Sequence, residues 1–260
     1  MQVLYERCAG VDVGKDVIAV AVRLPGDGPD GRQTGRRTFK TFYGVLAEAA
    51  RWLTSLGVTQ VAMEATGIYS MPVYHALIEH GSFEKVLVCN AGTGLERPLA
   101  ETPPDELNRI LDVNVTGCLR YARACLPHLE RRRGSMIHIA SDAGVIGEDP
   151  IGAYSVSKAA VIMLGKMLAV DCGRRGVRSN VICPGDIVPG MREMLAPGEE
   201  RRGDDVSGWP MPPIGRIGEA ADVAAAAVFL ASGDAAFVNG AVLLVDGGMR
   251  AAMRAGSPEP

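Results

Sequence analysis

The stretch VLVCNAGTG, Val86–Gly94, is an apolar run of strand length that stops at Asn-Ala-Gly. A short apolar run closed by a turn signal reads as a buried strand. On its carboxyl side, residues 103–133 are expected to form one long helix. Pro104 and the acidic pair after it suit the start of that helix, and Pro127 is expected to kink or end it. GSMIHIAS (134–141) then reads as a strand, the run from Ala153 as a helix stopped by Gly176, and VRSNVICPG (177–185) as a strand. Residues 219–236 read as a helix and GAVLLVDGG (240–248) as a last strand. On the amino side, AGVDVGKDVIAVAVRLP (9–25) reads as a hairpin, GDGPDGRQTGRR (26–37) as a polar loop, and RTFKTF (37–42) as a third strand. A helix at 43–57, a strand at 58–65 and a helix at about 69–80 complete the approach to Val86.

Strands and helices that alternate in this way predict an α/β fold: a three-layer, Rossmann-like parallel sheet with helices on both faces. The composition agrees. Of the 260 residues 47% are hydrophobic and only 5% aromatic, which suits close helix–sheet layers rich in Ala, Gly and Val. Net charge is −3, and residues 1–89 balance nine basic against nine acidic side chains, so a general nucleic-acid binder is not indicated. Six cysteines, at 8, 89, 118, 125, 172 and 183, have no CxxC spacing and no histidine cluster in the sequence. They read as core residues in a reducing compartment, with no metal, and the protein as cytoplasmic. No apolar run is read as a membrane span. Residues 189–215, rich in Pro, Gly and charge and carrying Met191, Met194 and Trp209, read as a lid, and 251–260 as a disordered tail.

Chemistry gathers after the strand at 134–141. Ser141 ends that strand, at the edge where such sheets bind ligands. Tyr154 follows thirteen residues later and Lys158 four after that, which puts both on one helix face. An ammonium beside a phenol favours phenolate, so Lys158 is expected to lower the Tyr154 pKa toward neutrality and fit it for proton transfer to an alcohol or carbonyl oxygen. Separately, each has a plainer reading: Ser141 as a strand end, Tyr154 and Lys158 as an ordinary helix surface, Asn114 as a residue satisfying backbone in a bent helix.

From Val86 to Met249 the chain resembles the short-chain dehydrogenase/reductase family. The resemblance is carried by NAG at 90–92, NVTG at 114–117, Ser141, YSVSK at 154–158, NVICPGDI at 180–187 and FVNGAVLLVDGG at 237–248. It implies hydride transfer between NAD or NADP and a small alcohol or ketone. Tyr154 would be the general acid/base, Ser141 would orient the substrate oxygen, and Lys158 would also bind the nicotinamide ribose. Asn114 would hold a water that relays protons. Asn90, Ala91 and Gly92 would border the adenosine side of the cofactor, and Pro184, Gly185 and Ile187 its nicotinamide. The helices at 104–131 and 154–175 would form a homodimer or homotetramer. Pro189 stands where the family often has a threonine that holds the carboxamide.

The family's glycine-rich dinucleotide loop has no good counterpart. GDGPDG (26–31) has the G-x-G-x-x-G spacing but holds Pro29 and precedes no apolar helix, so it reads as a hairpin loop. The turn at Thr66-Gly67 has Met71 and Val73 where the family has glycines, and Glu64 before it would repel a pyrophosphate. Residues 1–89 resemble instead the start of a DEDD-type insertion-sequence transposase, with a ribonuclease-H-like fold in which Asp12 and Glu64 would be two of four metal-binding carboxylates. The expected organisation is therefore a ribonuclease-H-like segment at 1–89, whose strands continue the sheet of a dehydrogenase part at 90–250. Cofactor binding is expected to be impaired. The alternatives are an inactive fusion and a DNA-acting transposase fragment.

Overall fold

The computed structural model describes residues 6–13, 16–28, 31–63, 73, 76–77, 79–81, 86–188 and 209–252. Three antiparallel strands open the chain: β1 (Cys8–Val13), β2 (Val17–Pro25) and β3 (Arg32–Lys40). Strict alternation in β2 buries Ile18, Val20, Val22 and Leu24 on one face and leaves the residues between them exposed. Helix α1 (Tyr43–Ser55) covers that face with Leu46, Ala49, Ala50 and Leu53, and Gly57 at φ +67° ends it. β4 (Gln60–Met63) runs parallel to β1 on its other edge. Of the helix expected at 69–80, the described residues Val73, Ala76 and Leu77 are helical and join this core.

β3 corrects the sequence reading. Residues 32–37, expected in a loop, are strand, and β3 pairs with β2 from Pro25↔Arg32 to Val17↔Lys40. Only Phe39 of β3 is buried. An edge strand needs one partner and no apolar face, and its charged side chains discourage a further partner, so hydrophobic alternation could not show it. The GDGPDG stretch is the hairpin connection, as expected, closed by Gly26 N–H donating to Gly31 O at 3.0 Å.

The second half is built on four parallel strands: β5 (Val86–Cys89), β6 (Ser135–Ile139), β7 (Arg178–Pro184) and, after the short β8 (Ile187–Val188) and β9 (Gly218–Glu219), β10 (Val242–Val245). Their order is β5-β6-β7-β10. Helices α2 (Pro104–Leu111), α3 (Gly117–Arg132) and α4 (Gly152–Gly173) precede α5 (Ala220–Ala231). Alternate strand residues divide between the two faces. Leu87, Cys89 and Met136 meet α3 and α4, while Ile137 and Ile182 meet α5 through Leu230. This is the expected three-layer arrangement.

Three further expectations change. First, the long helix is interrupted by a π-helical segment at Asp112–Thr116, and α3 then runs through Pro127 to Arg132. Pro127 and Arg123, whose carbonyl loses its partner, both face solvent, so water can satisfy the freed group. Second, the sheet is not one unbroken ladder: among the described residues β3-β2-β1-β4 and β5-β6-β7-β10 are separate hydrogen-bonded sheets. They adjoin where β4 lies beside β5, each keeping its second edge toward the other. Third, α4 is long and apolar enough to cross a membrane, with a mean hydropathy of 1.4, but it packs on β7 and carries buried Lys158. Most of the lid at 189–215, including Pro189, and the tail from 253 lie outside the described residues, as do Glu64, Met71 and the Thr66-Gly67 turn.

Candidate active site

Beyond β6 the chain stays extended through Ala140, whose N–H donates to Ile182 O at 2.8 Å, and delivers Ser141 to the carboxyl edge of the sheet. One turn of 3-10 helix follows, at Asp142–Gly144. A β-carbon on Gly144 would lie 2.6 Å from the Lys158 carbonyl carbon, so this turn and α4 touch backbone to backbone. That contact brings Ser141 onto the first turns of α4, where Tyr154 and Lys158 are 7% and 3% exposed. The Ser141 hydroxyl, which donates to Asp142 Oδ1 at 3.2 Å, lies near enough to the Tyr154 phenol to favour its ionised form. The structure thus gathers Ser141, Tyr154 and Lys158 at one place.

Lys158 Nζ donates to Ile139 O at 2.9 Å and lies 5.4 Å from the Tyr154 ring centroid. Gly92 borders it, since a β-carbon there would meet Nζ at 3.2 Å and Asn114 Oδ1 at 3.5 Å. Asn114 sits in the π segment and is 1% exposed. Its Oδ1 accepts from Thr93 N, and its Nδ2 donates to Thr93 O and to Ser157 Oγ, each at 2.8 Å. Ser157 Oγ in turn donates to Tyr154 O at 2.7 Å. Asn114 therefore pins the 90–94 loop to α4. The π segment, which aims it there, had no sequence signal.

The electrostatics correct one expectation. Burial pushes the Tyr154 phenol up to about 12, against the lowering effect of the Ser141 hydroxyl. Lys158 does not offset this: its ammonium lies over the ring face and serves Ile139 O. Burial pushes Lys158 itself down to about 8. At neutral pH the site is a protonated tyrosine beside a buried lysine.

Of the expected cofactor residues, Asn90 is exposed at the end of β5, and Ala91 and Gly92 are partly covered. Pro184 ends β7. Gly185 is required by close packing, since a β-carbon there would lie 2.9 Å from Asp246 Cβ. Ile187 lines a cleft of about 120 Å³ with Pro212, Ile214 and Arg216. Arg250 was missed in the sequence. Its guanidinium pairs with Asp142 and Glu148, both at 2.8 Å, and its N–H donates to Asp246, so it locks the residue beside Ser141 to the last turn of the chain. Five of the six cysteines are buried core residues, as expected, and two of them, Cys89 and Cys118, meet His138 with ligand atoms within 4.8 Å of one another.

Comparison with known proteins decides the family. The model of the family described as enoyl-(acyl carrier protein) reductase matches residues 73–250, more than half of the chain. The chain belongs to the short-chain dehydrogenase/reductase family. Among curated relatives, meso-2,3-butanediol dehydrogenase of Serratia marcescens is 31% identical over 80% of this chain and 86% of its own. L-fucose dehydrogenase of Mus musculus is 42% identical over 57% of this chain, a match that spans about half of that relative's length (54%). Among solved structures, a gluconate 5-dehydrogenase from Burkholderia cenocepacia, in complex with NADP and tartrate, superposes with a TM-score of 0.61 at 30% identity. The match covers 80% of this chain and 82% of that one. In this short-chain dehydrogenase/reductase the absence of a side chain at Gly92 leaves a polar cradle beside Lys158 Nζ and Asn114 that a β-carbon would fill.

Proposed function

We propose that this chain exchanges hydride between NAD or NADP and a small alcohol or ketone, with Tyr154 handling the proton. The supporting observation is the gathering of Ser141, a buried Tyr154 and, 5.4 Å from its ring centroid, Lys158 Nζ at the carboxyl end of the parallel sheet. When bound, the dinucleotide supplies or accepts the hydride. Lys158 and the Gly92 loop would hold its ribose, and Gly185 and Ile187 would flank its nicotinamide. Ser141 holds the substrate oxygen. Tyr154, protonated at neutral pH, gives its proton to a ketone oxygen and recovers it from the alcohol in the reverse direction. Lys158, already anchored on Ile139 O, has N–H donors left for the ribose hydroxyls. Asn114 keeps the 90–94 loop and α4 in register.

Affinity for the dinucleotide is inferred to be low, because the sequence has Met71 and Val73 where the family's loop has glycines and Glu64 just ahead of them. The reading also includes a homodimer or homotetramer, supported by the exposed Val156, Met163, Met167 and Val170 along one side of α4. Cytoplasmic placement is supported by the six free cysteines. The order β3-β2-β1-β4, with antiparallel β1-β2-β3 and parallel β1-β4, supports a ribonuclease-H-like origin of residues 1–89.

The test is calorimetric titration of NADH and NADPH, followed by absorbance assays with diols, sugars and their ketones. The expected result is binding nearer ~1 mM than ~1 μM and slow turnover, which Tyr154→Phe lowers by about 10²–10⁴-fold without changing cofactor affinity. Turnover unchanged in Tyr154→Phe would overturn the proposal.

A further inference from the structure

Three side chains that the proposed reaction does not use meet beneath the site. Cys89 on β5 and His138 on β6 are direct partners across the parallel ladder, so their side chains project to the same face of the sheet. Cys118 reaches them from the first turn of α3, just after the π segment. The two sulfurs and an imidazole nitrogen lie within 4.8 Å of one another. The residues are 2%, 6% and 0% exposed, and Leu87, Tyr121, Leu129 and Met136 pack in the same core.

The imidazole is already set for an occupant. Ser179 Oγ donates to Gly165 O at 2.9 Å, so it can only accept from His138 Nε2, 3.1 Å away. The proton therefore sits on Nε2, and Nδ1 carries a bare lone pair. Nδ1 is buried and makes no hydrogen bond of proper geometry. An uncompensated buried acceptor is costly, so this nitrogen calls for a partner. A ring whose far nitrogen is fixed by an outer hydrogen bond is the usual form of a metal-binding histidine.

We propose that Cys89, Cys118 and His138 bind a soft divalent cation of the zinc class. Two thiolates and a neutral imidazole suit such an ion, whereas Mg²⁺ and Ca²⁺ require oxygen ligands. Two thiolates also cancel the charge of the ion, which a dry core demands. Cys125, on α3 two turns beyond Cys118, is buried in the same core but lies outside the group whose ligand atoms are within 4.8 Å of one another. A site this deep is filled during folding, and the ion would tie β5, β6 and α3 together below Asn90 and Ser141. The inference is independent of the dehydrogenase reading.

The protein is produced in zinc-replete and in cobalt-replete medium and its metal measured after gel filtration. About one zinc per chain is expected, and the cobalt form should show a sulfur-to-cobalt charge-transfer band with a tetrahedral visible spectrum. Cys118→Ser should lower retained zinc by about tenfold or more, while Cys8→Ser, on the other sheet, should not. Should Cys118→Ser fail to fold, X-ray absorption of the wild-type zinc form decides: sulfur and imidazole ligands support the site, and oxygen-only ligands overturn it. Less than about a tenth of an equivalent of zinc in reduced, folded wild type also overturns it.

Discussion

At the scale of single residues, the site depends on what burial does to two titratable groups. Lys158 is held at about 8 rather than 10.5. Below pH 8 the folded chain carries a buried charge at full cost. Between about 8 and 10.5 the unfolded chain binds that proton and the folded chain does not, so stability contributed by this group rises with pH. Lys158→Met should therefore raise stability at pH 7 by roughly 1–3 kcal/mol and flatten the rise across that window, as read by urea unfolding at several pH values. The same substitution should remove activity. In the wild type, ketone reduction should fall as pH rises through about 8, because an uncharged Lys158 has lost one of the N–H donors that would hold the cofactor ribose. The expectation that Lys158 lowers the Tyr154 pKa rested on one-dimensional spacing. The i, i+4 relation placed the two side chains on one face, but where the ammonium points was settled by a carbonyl at the end of another strand.

At the scale of elements, close backbone contacts set the geometry. A β-carbon on Gly165 would lie 2.4 Å from Val181 Cγ2, so Gly165 lets α4 settle onto β7. Gly165→Ala should cost about 1–3 kcal/mol, and Gly147→Ala, with open space around it, should cost far less. Equilibrium unfolding of both variants checks this. Arg178, at the start of β7, donates to the carbonyls of Leu230 at 2.7 Å and Ser232 at 3.1 Å, closing the C-terminus of α5. Arg178→Ala should cost about 2–3 kcal/mol, with exchange protection lost first in α5. Elements with a strong period were legible in the sequence: β2, α1, α4 and the parallel strands fell close to their expected positions. The π segment was not, because no residue type or spacing marks such a widened turn. Nor was the passage of α3 through Pro127, because solvent at Arg123 replaced the lost hydrogen bond.

At the scale of the whole molecule, two sheets of different design meet at β4 and β5. The first is a meander of hairpins that closes on a parallel strand, and the second is parallel throughout. The proposed catalytic set lies wholly in the second, and the family match, at residues 73–250, takes in all of that second sheet. The exposed stripe on α4 includes Val170 at 72% and Met163 at 55% exposure, more than an isolated surface hydrophobic would need to explain. Sedimentation should find a dimer or tetramer, and Met163→Lys with Val170→Lys should shift it toward monomer without unfolding. A monomeric wild type would refute this part of the reading.

The sequence by itself determined the layer architecture, the strand that leads to Ser141, and the placing of Tyr154 and Lys158 on one helix face. Those follow from local periodicity and from motifs whose members are near in the chain. Only the tertiary structure decided which groups far apart in sequence face one another. Arg250 reaches Asp142, Asn114 holds Thr93, and Cys89 and Cys118 meet His138. The reason is physical: strand order and helix packing set those distances, and no local pattern of residues encodes them.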